Sequence, residues 1–149
     1  MPGAQKEIII NATPETVFSV ITDYGNYPTF LKEVSSCVVD SRNGNSVVST
    51  FKVDIKVKEI GYTIRLTEEP NRKLSWTLIR GDFMEVNNGS WTLTDLGDGR
   101  TKALYAVEIV PKVPRTLSFM KKQISIALAE KSLPATLQSF KARAERMQK

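Results

Sequence analysis

The chain contains no histidine, and Cys37 is the single cysteine among its 149 residues. Histidine is the usual general base near neutral pH and the most common metal ligand. Its absence excludes His-based catalytic triads and zinc sites that include histidine. One cysteine forms neither an internal disulfide nor a thiolate cluster, and the acidic residues show no spacing typical of a carboxylate site. We therefore assign no catalytic residue and predict no metal and no cofactor.

Long hydrophobic runs are missing as well. The longest aliphatic run, Ile8-Ile9-Ile10, is far shorter than the roughly 20 apolar residues that cross a bilayer as a helix. The opening sequence MPGAQKEIII also lacks the basic and then apolar pattern of a secretion signal. These observations predict a cytoplasmic protein without a transmembrane segment.

The composition is ordinary for a globular domain, with 41% hydrophobic and 25% charged residues. No repeat, low-complexity tract or linker divides the chain, so we predict one domain over residues 1–149. Its net charge of +5 is uneven, because residues 102–149 hold 10 basic and 3 acidic side chains. This basic segment is suited to contact with anionic lipid or RNA. A solvated helix with a basic outer face explains the same charges.

The first part of the chain predicts a strand and two short helices. Residues 5–11 have the composition of a strand. Thr13 is a suitable helix cap and Pro14 a suitable first helical residue, with apolar residues following at helical spacing. The sequence DYGNYP at 23–28 ends this helix, and a second short helix is predicted at 29–31.

From Val34 to Val110 the apolar residues follow a period of two, which predicts antiparallel strands separated by turns rich in glycine and asparagine. The join at 56–58 has no turn signal. Alternation places apolar side chains on one face of the sheet and charged ones on the other. The predicted strands are 33–41, 46–56, 58–68, 73–80, 85–95 and 101–110.

A long helix is predicted over residues 115–147, where apolar residues recur every three or four positions. Pro134 lies in the middle, and we expect a kink or a break there. A sheet with one apolar face requires a cover. The last helix provides that cover, and the fold class is predicted to be α+β.

Three segments carry a resemblance to a known superfamily. They are NATPETVFSVITDYGNYPTFL at 11–31, NNGSWTLTDLGDGRTKALYAVEI at 87–109 and SLPATLQSFKARAE at 132–145. These segments resemble the START-like (SRPBCC) superfamily, in particular its polyketide cyclase/dehydrase and coenzyme Q-binding families. The resemblance implies a helix-grip fold, in which a curved antiparallel sheet wraps around the C-terminal helix. Lys32 departs from the pattern, because quinone-binding and ribosome-directed relatives commonly have proline there.

The resemblance also implies a ligand cavity between the sheet and the last helix. Tyr105 and Arg80 share the parity of inward-facing positions and are candidates to orient a polar group. Arg80 lies beside Gly81 at a strand end, however, and an exposed arginine in the turn is the preferred interpretation, because arginine is seldom buried. The aromatic side chains on the inward face of the sheet are also compatible with a filled core. The segment between the two short helices, with Tyr24, Tyr27 and Pro28, is expected from the resemblance to border the cavity mouth. A structural role for these residues is preferred over a gating role. The predicted ligand-binding residues are Phe51, Tyr62, Trp76, Arg80, Trp91, Tyr105, Met120, Ile124 and Leu128.

Three functions are compatible with these features. The preferred one is binding of an apolar small molecule, such as a lipid, quinone or polyketide, by a carrier, sensor or chaperone. The second is a cyclase, dehydratase or aromatase that relies on tyrosine or arginine hydrogen bonds in a dry cavity. The third is a toxin-like module that contacts ribosomal RNA through the basic C-terminal segment.

Overall fold

Seven antiparallel strands form a single sheet in this computed structural model, which describes residues 4–54 and 59–148. The side chains of 121, 122 and 124–134 lie outside that description. The strand order is β1-β7-β6-β5-β4-β3-β2, so consecutive strands pair from β2 to β7 and β1 closes the sheet beside β7. The strands are β1 (Ala4–Ile10), β2 (Val34–Asn43), β3 (Ser46–Asp54), β4 (Glu59–Glu69), β5 (Lys73–Gly81), β6 (Met84–Asp95) and β7 (Thr101–Pro111).

The strands confirm the period-two prediction to within two residues at each described end. Two predicted turns contain residues with positive φ, Gly44 at 61° and Asn71 at 63°. Glycine and asparagine tolerate this left-handed conformation better than other residues do. The join predicted at 56–58 lies outside the described residues, as does Ile55.

Helix α1 (Pro14–Ile21) begins as the sequence predicts. The Thr13 hydroxyl accepts a hydrogen bond from the backbone amide of Thr16 at 3.3 Å, and Pro14 is the first helical residue. A cap of this kind satisfies an amide that has no partner within the helix. A 3-10 helix (Tyr24–Asn26) and the short helix α2 (Tyr27–Phe30) follow and lead the chain back into the sheet.

Helix α3 (Lys121–Gln148) crosses the apolar face of the sheet. It continues through Pro134, so of the kink or break predicted there the break is wrong, and the kink stays a prediction. A proline within a helix removes one backbone hydrogen bond, and the packed turns that follow it hold the helix together. Residues predicted as the first turn of this helix, Arg115–Met120, form a separate 3-10 helix. None of the described helices combines the length and apolar character that crossing a membrane requires.

The C-terminal half of α3 is anchored on β1, β7 and α1. Leu137, Phe140 and Ala144 are buried in the core. At its edge, the Lys141 ammonium donates to the Ile9 carbonyl at 2.9 Å. Apolar burial and this hydrogen bond therefore position the last three turns of the helix.

The sheet opens between β5 and β6. Their pairing extends only from Lys73–Trp76 to Gly89–Thr92, although the two strands are joined by a tight turn. Beyond that point each strand pairs with its other neighbour. The two turn residues also bond to these outer neighbours. The Asp82 amide donates to the Gly61 carbonyl in β4 at 2.8 Å, and the Phe83 carbonyl accepts from the Lys112 amide just after β7 at 2.9 Å. The two strands therefore do not pair with each other between Trp76 and the turn, although Gly81 and Met84 are close together at the turn itself.

A buried polar cluster connects the 3-10 helix at Tyr24 to the sheet. The Tyr24 hydroxyl donates to Glu68 Oε2 at 2.6 Å, and Arg42 donates to both carboxylate oxygens at 2.9 and 3.2 Å. Burial by itself raises the pKa of Glu68, but the hydrogen bonds from Arg42 and Tyr24 outweigh it and hold the pKa below its ordinary value. The carboxylate is thus charged and fully partnered.

Replacing Tyr24 with phenylalanine is expected to lower the free energy of unfolding by about 1–3 kcal/mol at neutral pH, because a buried carboxylate loses a donor. The contribution of ionised Glu68 is present above its unfolded pKa, near 4.5, and disappears as the pH falls through the lower folded pKa. Urea denaturation of the wild type and Glu68→Gln should therefore converge in acid.

The control for this experiment is Asp98→Asn. Asp98 forms an exposed ion pair with Arg100 in a hairpin, and exposed pairs contribute little. Equal unfolding free energies for Tyr24→Phe and the wild type at neutral pH would contradict the assigned role of the cluster.

Candidate ligand-binding site

The aromatic residues predicted to face inward form one cluster on the face of the sheet that α3 crosses. The register places Phe51 opposite Tyr62 and Trp91 opposite Tyr105. The rings of Phe51 and Tyr62 stack at 5.2 Å between centroids. Trp91 and Trp76 both contact Tyr105, at 4.7 and 5.9 Å. All five residues therefore belong to the same interior surface.

One end of this surface is a filled core. Trp91 is 1% exposed and Phe51 is 5% exposed. The Phe140 ring packs edge-on against Trp91 at 5.2 Å and against Tyr27 at 5.4 Å. At this end the interpretation of the aromatic residues as solid core is correct.

The other end is different. Tyr62, Trp76, Leu78 and Tyr105 face the interior yet keep part of their surface accessible. Burial raises the pKa of both the Tyr62 and Tyr105 hydroxyls, because their charged forms would lose solvation. These four side chains are therefore packed less completely than Trp91 and Phe51.

The polar side chains that lie beside the aromatic rings in the described part of this end are uncharged, and the exposed Glu33 carboxylate acts on Tyr62 and Tyr105 and raises the pKa of both further. The Trp76 indole donates to Asn87 Oδ1 at 3.2 Å, and the Asn87 amide nitrogen donates to the Met84 sulfur at 3.9 Å. Within the described part of the chain, the Tyr105 hydroxyl has no hydrogen-bond partner. The raised pKa values keep both phenols protonated near neutral pH. The site thus offers neutral donors and acceptors beside aromatic rings.

Gly89 allows the Trp76 ring to lie against the backbone of β6. A Cβ atom at Gly89 would be 2.2 Å from the Trp76 ring and 2.7 Å from the carbonyl oxygen of Ala106. Real Cβ atoms do not approach other atoms so closely. The glycine is therefore needed for the observed position of the indole, and hence for the shape of the site.

Two predicted site residues, Arg80 and Pro28, do not join this cluster. Arg80 is exposed on the opposite face of the sheet, which corrects its inward assignment. A bulge between Thr63 and Ile64 shifts the register of β5 and reverses the parity of Arg80. Pro28 is half-buried in α2, where it belongs to a helix rather than to an opening.

The two tyrosines expected at the cavity mouth are in the core instead. Tyr24 donates to Glu68, and Tyr27 donates to the Ile21 carbonyl. Both rings are buried.

The predicted helical wall is tested only in part. Met120 lies in the 3-10 helix before α3 and is 40% exposed. The side chains of Ile124 and Leu128 lie outside the described residues.

Asn87 and Gly89 are functional candidates that the sequence interpretation missed. Both share the odd parity of Trp91 on β6, so the signal was present. Both residues were missed because the inward face was identified from apolar side chains alone, whereas Asn87 is polar and Gly89 has no side chain.

A separate groove of about 410 Å³ lies on the outer face of the sheet, where β5 and β6 begin to part. Because side chains alternate along a strand, the side chains that line this groove lie on the other face of the sheet from the aromatic cluster. The backbone of Gly89 and of its pairing partner Val107 forms the floor of the groove. The outer side chains are Gln5, Thr77, Asn88, Ser90, Ala106 and Glu108.

Comparison with known proteins gives a family and more distant relatives. The family model described as polyketide cyclase / dehydrase and lipid transport matches residues 10–131. The ribosome association toxin RatA of Vibrio cholerae is 24% identical over 133 residues, which cover 87% of this chain and 84% of that protein.

Solved structures share the fold over almost the whole chain. The Zhui aromatase/cyclase from Streptomyces sp. R1128 superimposes with a TM-score of 0.85 at 16% identity, covering 97% of this chain and 93% of the other. A START superfamily protein from Mycobacterium smegmatis gives 0.85 at 19% identity, with 97% and 98% coverage. The predicted helix-grip fold is confirmed.

Substituting Gly89 with alanine is expected to displace the Trp76 ring and to lower the free energy of unfolding by about 1–3 kcal/mol through overpacking. Urea denaturation and tryptophan emission would measure the two effects. Gly25→Ala is the matched control, because a Cβ there meets nothing within 4 Å. Unchanged emission and stability in Gly89→Ala would show that the indole does not depend on this glycine.

Proposed function

The chain belongs to the polyketide cyclase/dehydrase and lipid transport family, and from this membership we propose that it encloses an apolar small molecule between the sheet and α3. It does so as a carrier, sensor or chaperone. The ligand-binding surface consists of Tyr62, Trp76, Leu78 and Tyr105, with Asn87 beside them. The observation that carries the proposal is that these inward side chains are deep but only partly covered.

The binding energy would come mainly from apolar contact. A ligand that buries roughly 300 Å² gains about 7 kcal/mol before the cost of association, at about 25 cal/mol per Å². Aromatic walls favour a flat or unsaturated ligand, since rings pack well against other rings. Polar anchors are needed to raise the affinity further and to orient the molecule.

The polar end of the ligand is expected to be an uncharged oxygen. Tyr105 presents a protonated hydroxyl without a partner among the described residues, and Asn87 presents an amide. A carbonyl or hydroxyl group matches these donors. A free carboxylate is a poor match, because burying a charge without a counter-charge is costly. Quinones, polyketides and neutral lipids therefore fit the site better than free fatty acids.

Native mass spectrometry after gentle purification is expected to detect an apolar ligand on the wild type. Leu78→Trp should lose it without loss of stability, because the larger side chain occupies the hollow. Tyr105→Phe should weaken it by about tenfold through loss of one hydrogen bond. Val38→Trp is the control, because Val38 is exposed on the edge strand β2.

Two outcomes of this experiment decide between hypotheses. If the wild type retains no apolar ligand, and no lipid or quinone shifts its melting temperature, the carrier function fails. If a supplied polyketide-like substrate is released after losing one water, the protein is a cyclase or dehydratase rather than a carrier. The phenols of Tyr62 and Tyr105 would then act as hydrogen-bond donors to the reacting carbonyl.

The similarity to a ribosome association toxin favours a second candidate function. In this alternative the basic segment over residues 102–149 contacts ribosomal RNA. That segment holds 10 basic and 3 acidic side chains, and Arg146 is exposed near the end of α3. Phosphate contacts of this kind release counterions and make binding strongly dependent on salt.

If this alternative is correct, the protein sediments with ribosomes at low salt and is released as the salt concentration rises. Arg146→Glu should weaken the association more than Lys52→Glu, which reverses an exposed charge on β3. Absence of cosedimentation, or cosedimentation unaffected by salt, would remove the ribosome from the candidate functions.

A further inference from the structure

The 3-10 helix Arg115–Met120 exposes apolar side chains that a soluble protein would ordinarily bury. Phe119 is 76% exposed and is the most exposed of the large hydrophobic side chains in the described part of the chain. Leu117 and Met120 are each 40% exposed. Contiguous exposed apolar residues mark interaction surfaces more often than isolated ones do. We call these three residues the apolar turn.

The apolar turn follows directly from the end of the sheet at which the candidate hollow lies. Strand β7 ends at Pro111, which pairs with Met84 at the start of β6. The next residue, Lys112, hydrogen-bonds through its amide to the Phe83 carbonyl in the β5–β6 turn. Tyr62 pairs with Gly81 just before that turn. The apolar turn is therefore attached to the rim of the ligand-binding surface.

The charge around the apolar turn is positive. Lys112 and Arg115 are exposed, and the sequence from 109 to 129 contains four basic residues and no acidic residue. Asp82 and Glu85 flank Phe83 in the neighbouring hairpin. The positive character thus belongs to the segment that carries the apolar turn and not to the hairpin beside it.

We infer that the apolar turn docks the protein on an anionic lipid surface, with Phe119 inserted among the lipid chains and Lys112 and Arg115 against the headgroups. This inference rests on the proposed function, because docking at the rim lets an apolar ligand pass from lipid to protein without crossing water. Stable attachment to a membrane surface takes two signals, here apolar insertion and electrostatic attraction. The segment supplies both.

Nucleic acid is a poorer match for the same surface. Bases stack on aromatic rings, and a single Phe119 would serve that purpose. Leu117 and Met120 are aliphatic, however, and offer nothing to a phosphate or a base edge. Their exposure on both sides of Phe119 favours hydrocarbon.

Flotation with vesicles tests the inference. The wild type should bind phosphatidylcholine vesicles that contain phosphatidylserine, and bind vesicles of phosphatidylcholine alone much more weakly. Phe119→Ser should reduce binding by about tenfold or more, since a buried aromatic side chain contributes strongly to insertion. The double variant Lys112→Glu/Arg115→Glu should lose the preference for phosphatidylserine. Brominated lipid should quench the emission of the tryptophan introduced by Phe119→Trp.

Matched controls separate docking from general effects. Val38→Ser removes an apolar side chain exposed on β2, and Lys52→Glu reverses an exposed charge on β3; both should bind vesicles like the wild type. Ligand retention, measured by native mass spectrometry, should be unchanged in Phe119→Ser.

Several results would overturn docking. Docking is contradicted if the wild type fails to bind vesicles, if Phe119→Ser binds them as well as the wild type does, or if the protein binds RNA in place of vesicles. Retained ligand with no vesicle binding would refute docking alone, whereas absence of any ligand would refute the proposed function.

Discussion

The ring of Phe140 is the contact on which the arrangement of the interior depends. It packs edge-on against Tyr27, Phe30 and Trp91, with 5.2–5.4 Å between ring centroids. These rings belong to α2 and β6, so one side chain of α3 joins the short helices to the sheet. A curved sheet with an apolar face requires a cover, and this contact determines where the cover is attached.

Attachment at one end has a consequence for the other end. The sheet is continuous, but β5 and β6 do not pair with each other beyond Trp76, and the aromatic rings there are less covered than those around Phe140. The filled part of the core stabilises the fold. In the less covered part, Tyr62 still stacks on Phe51 and Tyr105 still contacts both tryptophans, so these rings are positioned by each other as well as by the sheet.

The polar residues follow the same division. At the filled end, Glu68 is charged and satisfied by Tyr24 and Arg42, which ties the 3-10 helix to β4 and β2. At the other end, Asn87 and Tyr105 are neutral, and the Tyr105 hydroxyl has no described partner. A satisfied buried charge contributes to specificity of the fold, whereas an available neutral donor can recognise a ligand. The satisfied charge and the accessible neutral groups thus lie at different ends of one interior.

Much of the fold could be predicted from local signals. The Thr13 cap, the turn residues at Gly44 and Asn71, and the period of two along the strands depend only on neighbouring residues. Side-chain parity likewise identified Tyr62, Trp76 and Tyr105 as inward. Parity failed at Arg80, because a bulge depends on the partner strand and leaves no mark in the sequence of β5 itself.

The sequence by itself therefore determined the order of the elements and the face on which most side chains lie, since both follow from backbone geometry over a few residues. Only the tertiary structure decided which inward residues are packed and which are accessible. That difference separates Trp91 from Tyr62, two aromatic residues with the same local pattern. It depends on how far the sheet and helices lie from each side chain, and this distance is set by contacts between residues remote in the chain.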